Sequence, residues 1–179
     1  MEYLDVLDST GKPTGEKKLK TEIHRDGDWH KSVHVWIINS KGELLIQKRS
    51  LVKDSHPGMW DISSAGHIST GEDSATTATR ETEEELGLEL EAKDFEYLFS
   101  VTQEATQRGG YINREFNDVY LLKLYLNISK LKLQKEEVAE VKFIPYEKLE
   151  EIIGRGDKDF VPHPDEYKKL FENLHQRSL

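Results

Sequence analysis

The chain contains no cysteine. That absence rules out disulfides, thiolate nucleophiles and thiolate-bound metals, and it is compatible with a reducing interior. No apolar run approaches the roughly 20 residues that a membrane-spanning helix requires. Met1-Glu2-Tyr3-Leu4-Asp5 does not read as a signal peptide. The expected location is therefore the cytoplasm, with no membrane partner. An excess of positive charge is missing too: 25 basic residues stand against 34 acidic ones, for a formal net charge of −9. Such a surface is poorly suited to a nucleic-acid backbone, so no nucleic-acid partner is expected. Lysines gather only at Lys17-Lys18 and between Lys130 and Lys135, and both groups read as solvated faces.

What remains is a soluble composition with a high charged fraction, 33%, and a low hydrophobic fraction, 36%. The 179 residues suffice for one domain with a substantial core. No repeat, low-complexity stretch or linker divides them. Tyr3 to Leu7 reads as a strand, followed by turn residues from Asp8 to Gly15. Val33 to Ile38 and Leu44 to Gln47 read as strands joined by Asn39-Ser40-Lys41-Gly42. Further strands are expected at Trp60 to Ser63, Phe95 to Gln103, Val119 to Leu126 and Val138 to Ile144. A polar loop with Gly109-Gly110 separates the Phe95 to Gln103 strand from the Val119 to Leu126 strand, and a Pro145-started helix follows the last strand. Tyr167, Leu170, Phe171 and Leu174 have the spacing of an amphipathic C-terminal helix. The expected organisation is one domain over 1–179: an N-terminal extension or hairpin at 1–32, a core at 33–160 and a C-terminal helix at 161–179. Mixed strands with interspersed helices imply an α+β or layered α/β sandwich class.

The chemistry concentrates between Gly66 and Leu88. Gly66 is followed after five residues by Glu72, and after seven more by Arg80-Glu81-Thr82-Glu83-Glu84-Glu85-Leu86-Gly87-Leu88. With each of the seven fixed positions at about one chance in fifteen, an accidental match occurs roughly once per 10⁸ windows. Ser69 or Thr70 is expected to cap a helix running to Leu86, with Glu72 completing a capping box from Ser69 and Gly87 stopping it. Ala75, Ala78, Thr82 and Leu86 then form the buried stripe. Relative to Glu81, Glu84 lies near about −60° and Glu85 near about +40° around the helix, so the three carboxylates share one arc beside that stripe. Like charges at these spacings repel. A hard divalent cation would relieve the repulsion, because such cations take carboxylate and carbonyl oxygens. The turn at Gly66 is expected to supply one backbone carbonyl, from Ala65.

This run resembles the Nudix box, the mark of hydrolases that cleave a nucleoside diphosphate linked to another moiety. The flanking strand order also resembles that fold, an α/β/α sandwich with a mixed β-sheet. The departure is Thr82, where the family usually has an aliphatic residue. The resemblance implies that Glu81, Glu84, Glu85 and the Ala65 carbonyl bind Mg²⁺ or Mn²⁺. It further implies that Arg80 orients a glutamate, that Glu72 is structural, and that the four residues Arg80, Glu81, Glu84 and Glu85 form the catalytic set. Water would attack phosphorus, with a patch carboxylate as base. Family members often draw a further acid from a later segment, and Glu115 and Asp118 are the candidates: Glu115 for metal, Asp118 for substrate. Arg49 and His67 are the other substrate-binding candidates.

His24, His30 and His67, together with Ser55-His56-Pro57-Gly58-Met59-Trp60, resemble a second family of the same fold, isopentenyl diphosphate isomerase. That resemblance implies a second metal at His24, His30 and His67. The position of that family's essential cysteine, however, is Ala65 here. Without a thiol to serve as one of the acid/base groups, isomerisation is disfavoured, and the intact box favours hydrolysis. The chain thus resembles the isomerase-like branch of Nudix hydrolases, acting on a small-molecule diphosphate. The other alternative is a non-catalytic nucleotide-binding module. Selectivity is expected from Gln103 to Asn117 and the N-terminal segment, with Trp29, Trp60 and Tyr111 as candidates to stack on a base. A homodimer through the N-terminal hairpin and C-terminal helix is compatible with the sequence.

Overall fold

The computed structural model describes residues 1–106 and 110–177, so Gly109 of the expected loop lies outside the described residues. Strands β1 (Tyr3–Leu7) and β2 (Pro13–Leu19) pair antiparallel as a separate ribbon, followed by helix α1 (Lys20–Asp26). β2 is the second strand of the expected N-terminal hairpin, for which the sequence reading named no residues, and α1 is an addition to that reading. Pro13–Leu19 is exposed over most of its length, so it shows no apolar alternation to betray a strand. α1 is only seven residues long and ends at Gly27, whose φ of 73° suits a left-handed cap.

The main sheet contains β3 (His30–Ile38), β4 (Glu43–Arg49), β5 (Trp60–Asp61), β6 (Ser64–His67), β7 (Phe95–Thr106), β8 (Ile112–Lys123) and β9 (Val138–Pro145). Its spine runs β5-β4-β3-β8-β7, with β9 against β4 and β6 against β3. Among the strand pairs of the described residues, β3 and β8 run parallel and the others antiparallel, so the sheet is mixed. One edge of β3 changes partner midway. Ser32, Val33, His34 and Val35 pair with β6, whereas Ile37 and Ile38 pair with β4. The sheet therefore forks between β4 and β6. Ser63 bridges the base of this fork: its hydroxyl donates to the Leu45 carbonyl at 2.5 Å and accepts the Ile37 N–H at 2.8 Å.

Strand alternation divides the core into two layers. Val33, Val35, Ile37, Leu45, Tyr120 and Leu122 face α2 (Ser74–Leu86), meeting its Ala78 and Leu86. Trp36, Ile38, Leu44, Ile46, Val119 and Leu121 face α3 (Tyr146–Gly154) and α4 (Pro164–His175). The result is the helix–sheet–helix layering that the sequence predicted. The four apolar residues of the C-terminal pattern, Tyr167, Leu170, Phe171 and Leu174, are all buried.

Several local expectations change. α2 is capped by Asp73, not Ser69 or Thr70: its carboxylate accepts the Thr76 N–H at 2.9 Å. Glu72 forms no capping box; its side chain accepts from Thr77 and Arg80. Ala78, Thr82 and Leu86 are buried, but Ala75 is only half-buried, and Thr77 and Glu85 join the buried set. β8 begins at Ile112, so Glu115 and Asp118 are strand residues rather than loop residues. No helix among the described residues is long and apolar enough to cross a membrane.

Candidate active site

α2 lies along the fork, and its last two turns deliver three carboxylates to different depths. Glu85 is 5% exposed and enters the fork itself. Its Oε2 accepts the Ala65 N–H from β6 and the Gln47 side-chain amide from β4, each at 3.3 Å. Glu81 is half-buried against Gly66, and Glu84 remains exposed at the rim. Arg80 ties this group together. It donates to Glu72 at 3.0 Å, to Glu81 at 2.7 Å, to Glu84 at 3.4 Å and to the His67 carbonyl at 3.3 Å. The structure thus brings Arg80, Glu81, Glu84, Glu85 and Ala65 together at the wall of a cavity of about 850 Å³.

Burial pushes the Glu85 carboxyl up to about 8, with the nearby Glu81 charge adding to the effect. Burial likewise raises Glu81 to about 7, although the Arg80 guanidinium opposes it. Two acids that resist ionisation side by side are a site short of positive charge. Hard divalent cations fit this donor set, which is made of carboxylate oxygens with a backbone carbonyl adjacent.

The histidines form a second group on the same cavity. His24 Nδ1 lies 2.7 Å from the Lys20 carbonyl, and His30 Nδ1 lies 3.0 Å from the Asp28 carbonyl. A carbonyl can only accept, so each Nδ1 carries a proton, and Nε2 is the ring nitrogen left to face another group. The Nε2 atoms of His24, His30 and His67 are buried and have no hydrogen-bond partner. They converge on Glu115, whose Oε1 lies 3.5 Å from His30 Nε2 and 3.3 Å from His67 Nε2. Burial lowers His24 to about 4, so it is neutral and can ligate. His67 is lowered by burial too, against the pull of Glu115. Three orphaned imidazole nitrogens around one carboxylate fit a metal ion.

The remaining sequence candidates are placed as follows. Arg49 lines the cavity while donating to the Ser55 carbonyl at 2.9 Å and to Asp61 at 3.0 Å. His67 belongs to the histidine group, although its backbone carbonyl also meets Arg80. Asp118 is not brought to the site. It follows Glu115 by three positions along β8, so it faces the α2 side of the sheet, where Ser100 donates to it. Of the stacking candidates, Tyr111 lines the cavity but lies flat on His24 at 4.3 Å. Trp29 packs on Phe116, and Trp60 carries the Lys142 ammonium 3.8 Å above its ring.

Sequence reasoning missed a third group on the cavity floor: His34, Asp61 and His163, with Glu166 behind them. His34 Nδ1 meets Glu166 at 2.6 Å, and Trp36 donates to the other Glu166 oxygen at 2.8 Å. His163 Nε2 meets Asp61 at 2.9 Å. Burial opposes ionisation of Asp61, but His163 and Arg49 hold it far below the usual range. These residues come from β3, β5 and the start of α4, and no spacing in the chain announces them.

The family model of the NUDIX domain matches residues 28–164. The chain belongs to that family. Nudix hydrolase 3 of Arabidopsis thaliana is 48% identical over 98% of this chain, which spans only 24% of that relative's length. A Nudix hydrolase of Listeria monocytogenes is 36% identical, over 91% of this chain and 90% of its own. Isopentenyl-diphosphate Delta-isomerases appear at lower identity; that of Serratia proteamaculans is 32% identical over 67% of this chain and 65% of its own. Among solved structures, a Deinococcus radiodurans protein superimposes with a TM-score of 0.72 at 21% identity, covering 99% of this chain and 100% of that one. That likeness shows the Nudix fold.

Proposed function

We propose that this Nudix domain hydrolyses a diphosphate linkage in a nucleotide or related small metabolite, using Mg²⁺ or Mn²⁺ held by Glu81, Glu84, Glu85 and the Ala65 carbonyl. The observation that carries the reading is the convergence of Glu85, buried in the sheet fork against the Ala65 N–H, with Glu81 and Glu84 on one cavity wall. Bound there, the cations supply charge neutralisation for the phosphates and a more acidic water. The chain's own residues do the rest. Arg80 holds Glu81 and Glu84 in register, and a patch carboxylate takes the proton from the attacking water. The water oxygen bonds to phosphorus as the anhydride P–O bond breaks, and the departing phosphate takes its electron pair.

His24, His30, His67 and Glu115 form, in this reading, a site for a second, transition-metal ion, because neutral imidazoles with one carboxylate suit such ions. Isomerisation is the weaker alternative: Ala65 offers no acid, and the chain has no thiol elsewhere. Incubation with Mg²⁺ and a panel of nucleoside diphosphates, sugar nucleotides, dinucleotides and prenyl diphosphates tests the reading. Release of phosphate or a monophosphate supports it. Double-bond migration would instead support the isomerase, and silence across the panel a binding module.

A further inference from the structure

The buried pair of His34 and Glu166 has a geometry that a purely structural ion pair does not need. Glu166 comes from the first turn of α4 and is 2% exposed; both of its oxygens are used, one by His34 Nδ1 and one by Trp36. It sits behind His34 and is absent from the wall of the large cavity, whereas His34 belongs to that wall. With Nδ1 turned back to Glu166, the opposite edge of the ring, bearing Nε2, is the edge presented to the cavity. Among the described residues none hydrogen-bonds that nitrogen, and it is not among the buried orphaned atoms. A pair that only fastened α4 to the sheet would not need an imidazole edge on the cavity wall. This one keeps a donor open to the cavity.

The position of that donor is specific. His34 is paired with Ala65 across the β3–β6 ladder. Ala65 is also the residue whose N–H is taken by Glu85. The acidic patch and the His34 ring therefore meet on either side of a single residue. A diphosphate held at the glutamates, as in the function proposed above, would come to rest beside the imidazole.

We propose that His34 is a substrate-contacting residue that binds a phosphoryl oxygen of the diphosphate through Nε2, with Glu166 as its positioning residue. Glu166 engages Nδ1 at 2.6 Å, so a ring protonated on both nitrogens gives one N–H to Glu166 and one to the ligand, the arrangement of a charge-assisted hydrogen bond to phosphate. It complements the patch opposite. The glutamates reach the phosphates through cations, whereas His34 reaches them directly.

The test uses methylenediphosphonate, a non-hydrolysable diphosphate, with Mg²⁺ and the whole chain. In the unaltered protein its addition shifts the imidazole ¹⁵N resonance of His34 Nε2. In Glu166→Gln that shift is reduced or lost while the diphosphonate still binds weakly. His34→Asn weakens diphosphonate binding by about tenfold to a hundredfold, and Mn²⁺ binding followed by EPR stays unchanged. The inference is overturned if the unaltered protein fails to bind the probe, if it binds without moving the His34 resonance, or if His34→Asn binds as tightly as the parent. The resonance shift needs no variant, so a misfolded substitution does not rescue the idea. Binding with the His34 shift but no turnover on the substrate panel overturns the hydrolase reading alone. Turnover with a silent His34 overturns this inference alone.

Discussion

Gly66 and Glu81 occupy each other's space: a β-carbon on residue 66 would lie 1.9 Å from the Glu81 carboxyl carbon. The glycine of the motif is therefore required by close approach rather than by an unusual backbone angle. Any side chain there displaces the Glu81 carboxylate, and a shift of about 1 Å in a reacting group costs about a hundredfold in rate. We expect Gly66→Ala to lower turnover by at least that factor and to weaken Mn²⁺ binding. Steady-state kinetics and EPR titration check both. Unchanged metal affinity would mean that Glu81 is not a ligand.

The acidity of the patch sets a pH dependence. Unfolded, Glu85 releases its proton near the ordinary carboxylate value, whereas folded it holds the proton to about 8, and Glu81 to about 7. Between those values the folded state binds more protons, so stability falls as pH rises. His34 adds to the same trend at higher pH, its contribution being lost as pH rises through about 9. We expect the Tm of the metal-free protein to drop from pH 5 to pH 8, and Mg²⁺ to raise it more at pH 8 than at pH 5. Glu85→Gln should flatten the metal-free profile below pH 8. Calorimetry across that range is the check, and an Mg²⁺ effect independent of pH would count against carboxylate ligation.

The layering and the acidic helix were legible because both rest on local periodicity. Ala78, Thr82 and Leu86 recur at helical spacing, and the structure buries all three. Even the unusual Thr82 fits, its hydroxyl donating back to the Ala78 carbonyl at 2.7 Å. The cap was misread because several oxygen-bearing side chains precede the helix, and only the path of the loop decides that Asp73 is the one in reach. The cavity floor was illegible for a different reason. His34 and Glu166 are 132 positions apart, and their pairing depends on where α4 docks. Glu115 was visible as a candidate acid but not as the partner of His30, because that contact follows from the parallel register of β3 on β8.

The histidine group makes a prediction independent of turnover. If the orphaned nitrogens of His24, His30 and His67 hold an ion, His30→Ala should lower the content of bound transition metal in the purified protein. Loss of one of four protein ligands is expected to cost at least about 10- to 100-fold in affinity, the range seen even for outer-shell partners. Elemental analysis of variant and parent decides this, and equal metal content in both would end the assignment.

Glu84 and Glu85 should separate activity from stability. Both are proposed ligands, so Glu84→Gln and Glu85→Gln are each expected to lower turnover by about a thousandfold or more, as expected when charge stabilisation of the transition state is lost. Their surroundings differ. The Glu84 side chain is 51% exposed and meets Arg80 only at 3.4 Å, so its replacement should change metal-free stability by less than about 0.5 kcal/mol. Glu85 is buried, and a glutamine oxygen there can still accept from the Ala65 N–H and the Gln47 amide. That substitution removes a group whose charge is disfavoured while keeping its hydrogen bonds, so at pH 8 it should stabilise the metal-free protein and abolish the stabilisation by Mg²⁺. Chemical denaturation with and without Mg²⁺ measures both effects. A destabilised Glu85→Gln at pH 8 without metal would show that its carboxylate is a structural anion rather than a ligand awaiting a cation.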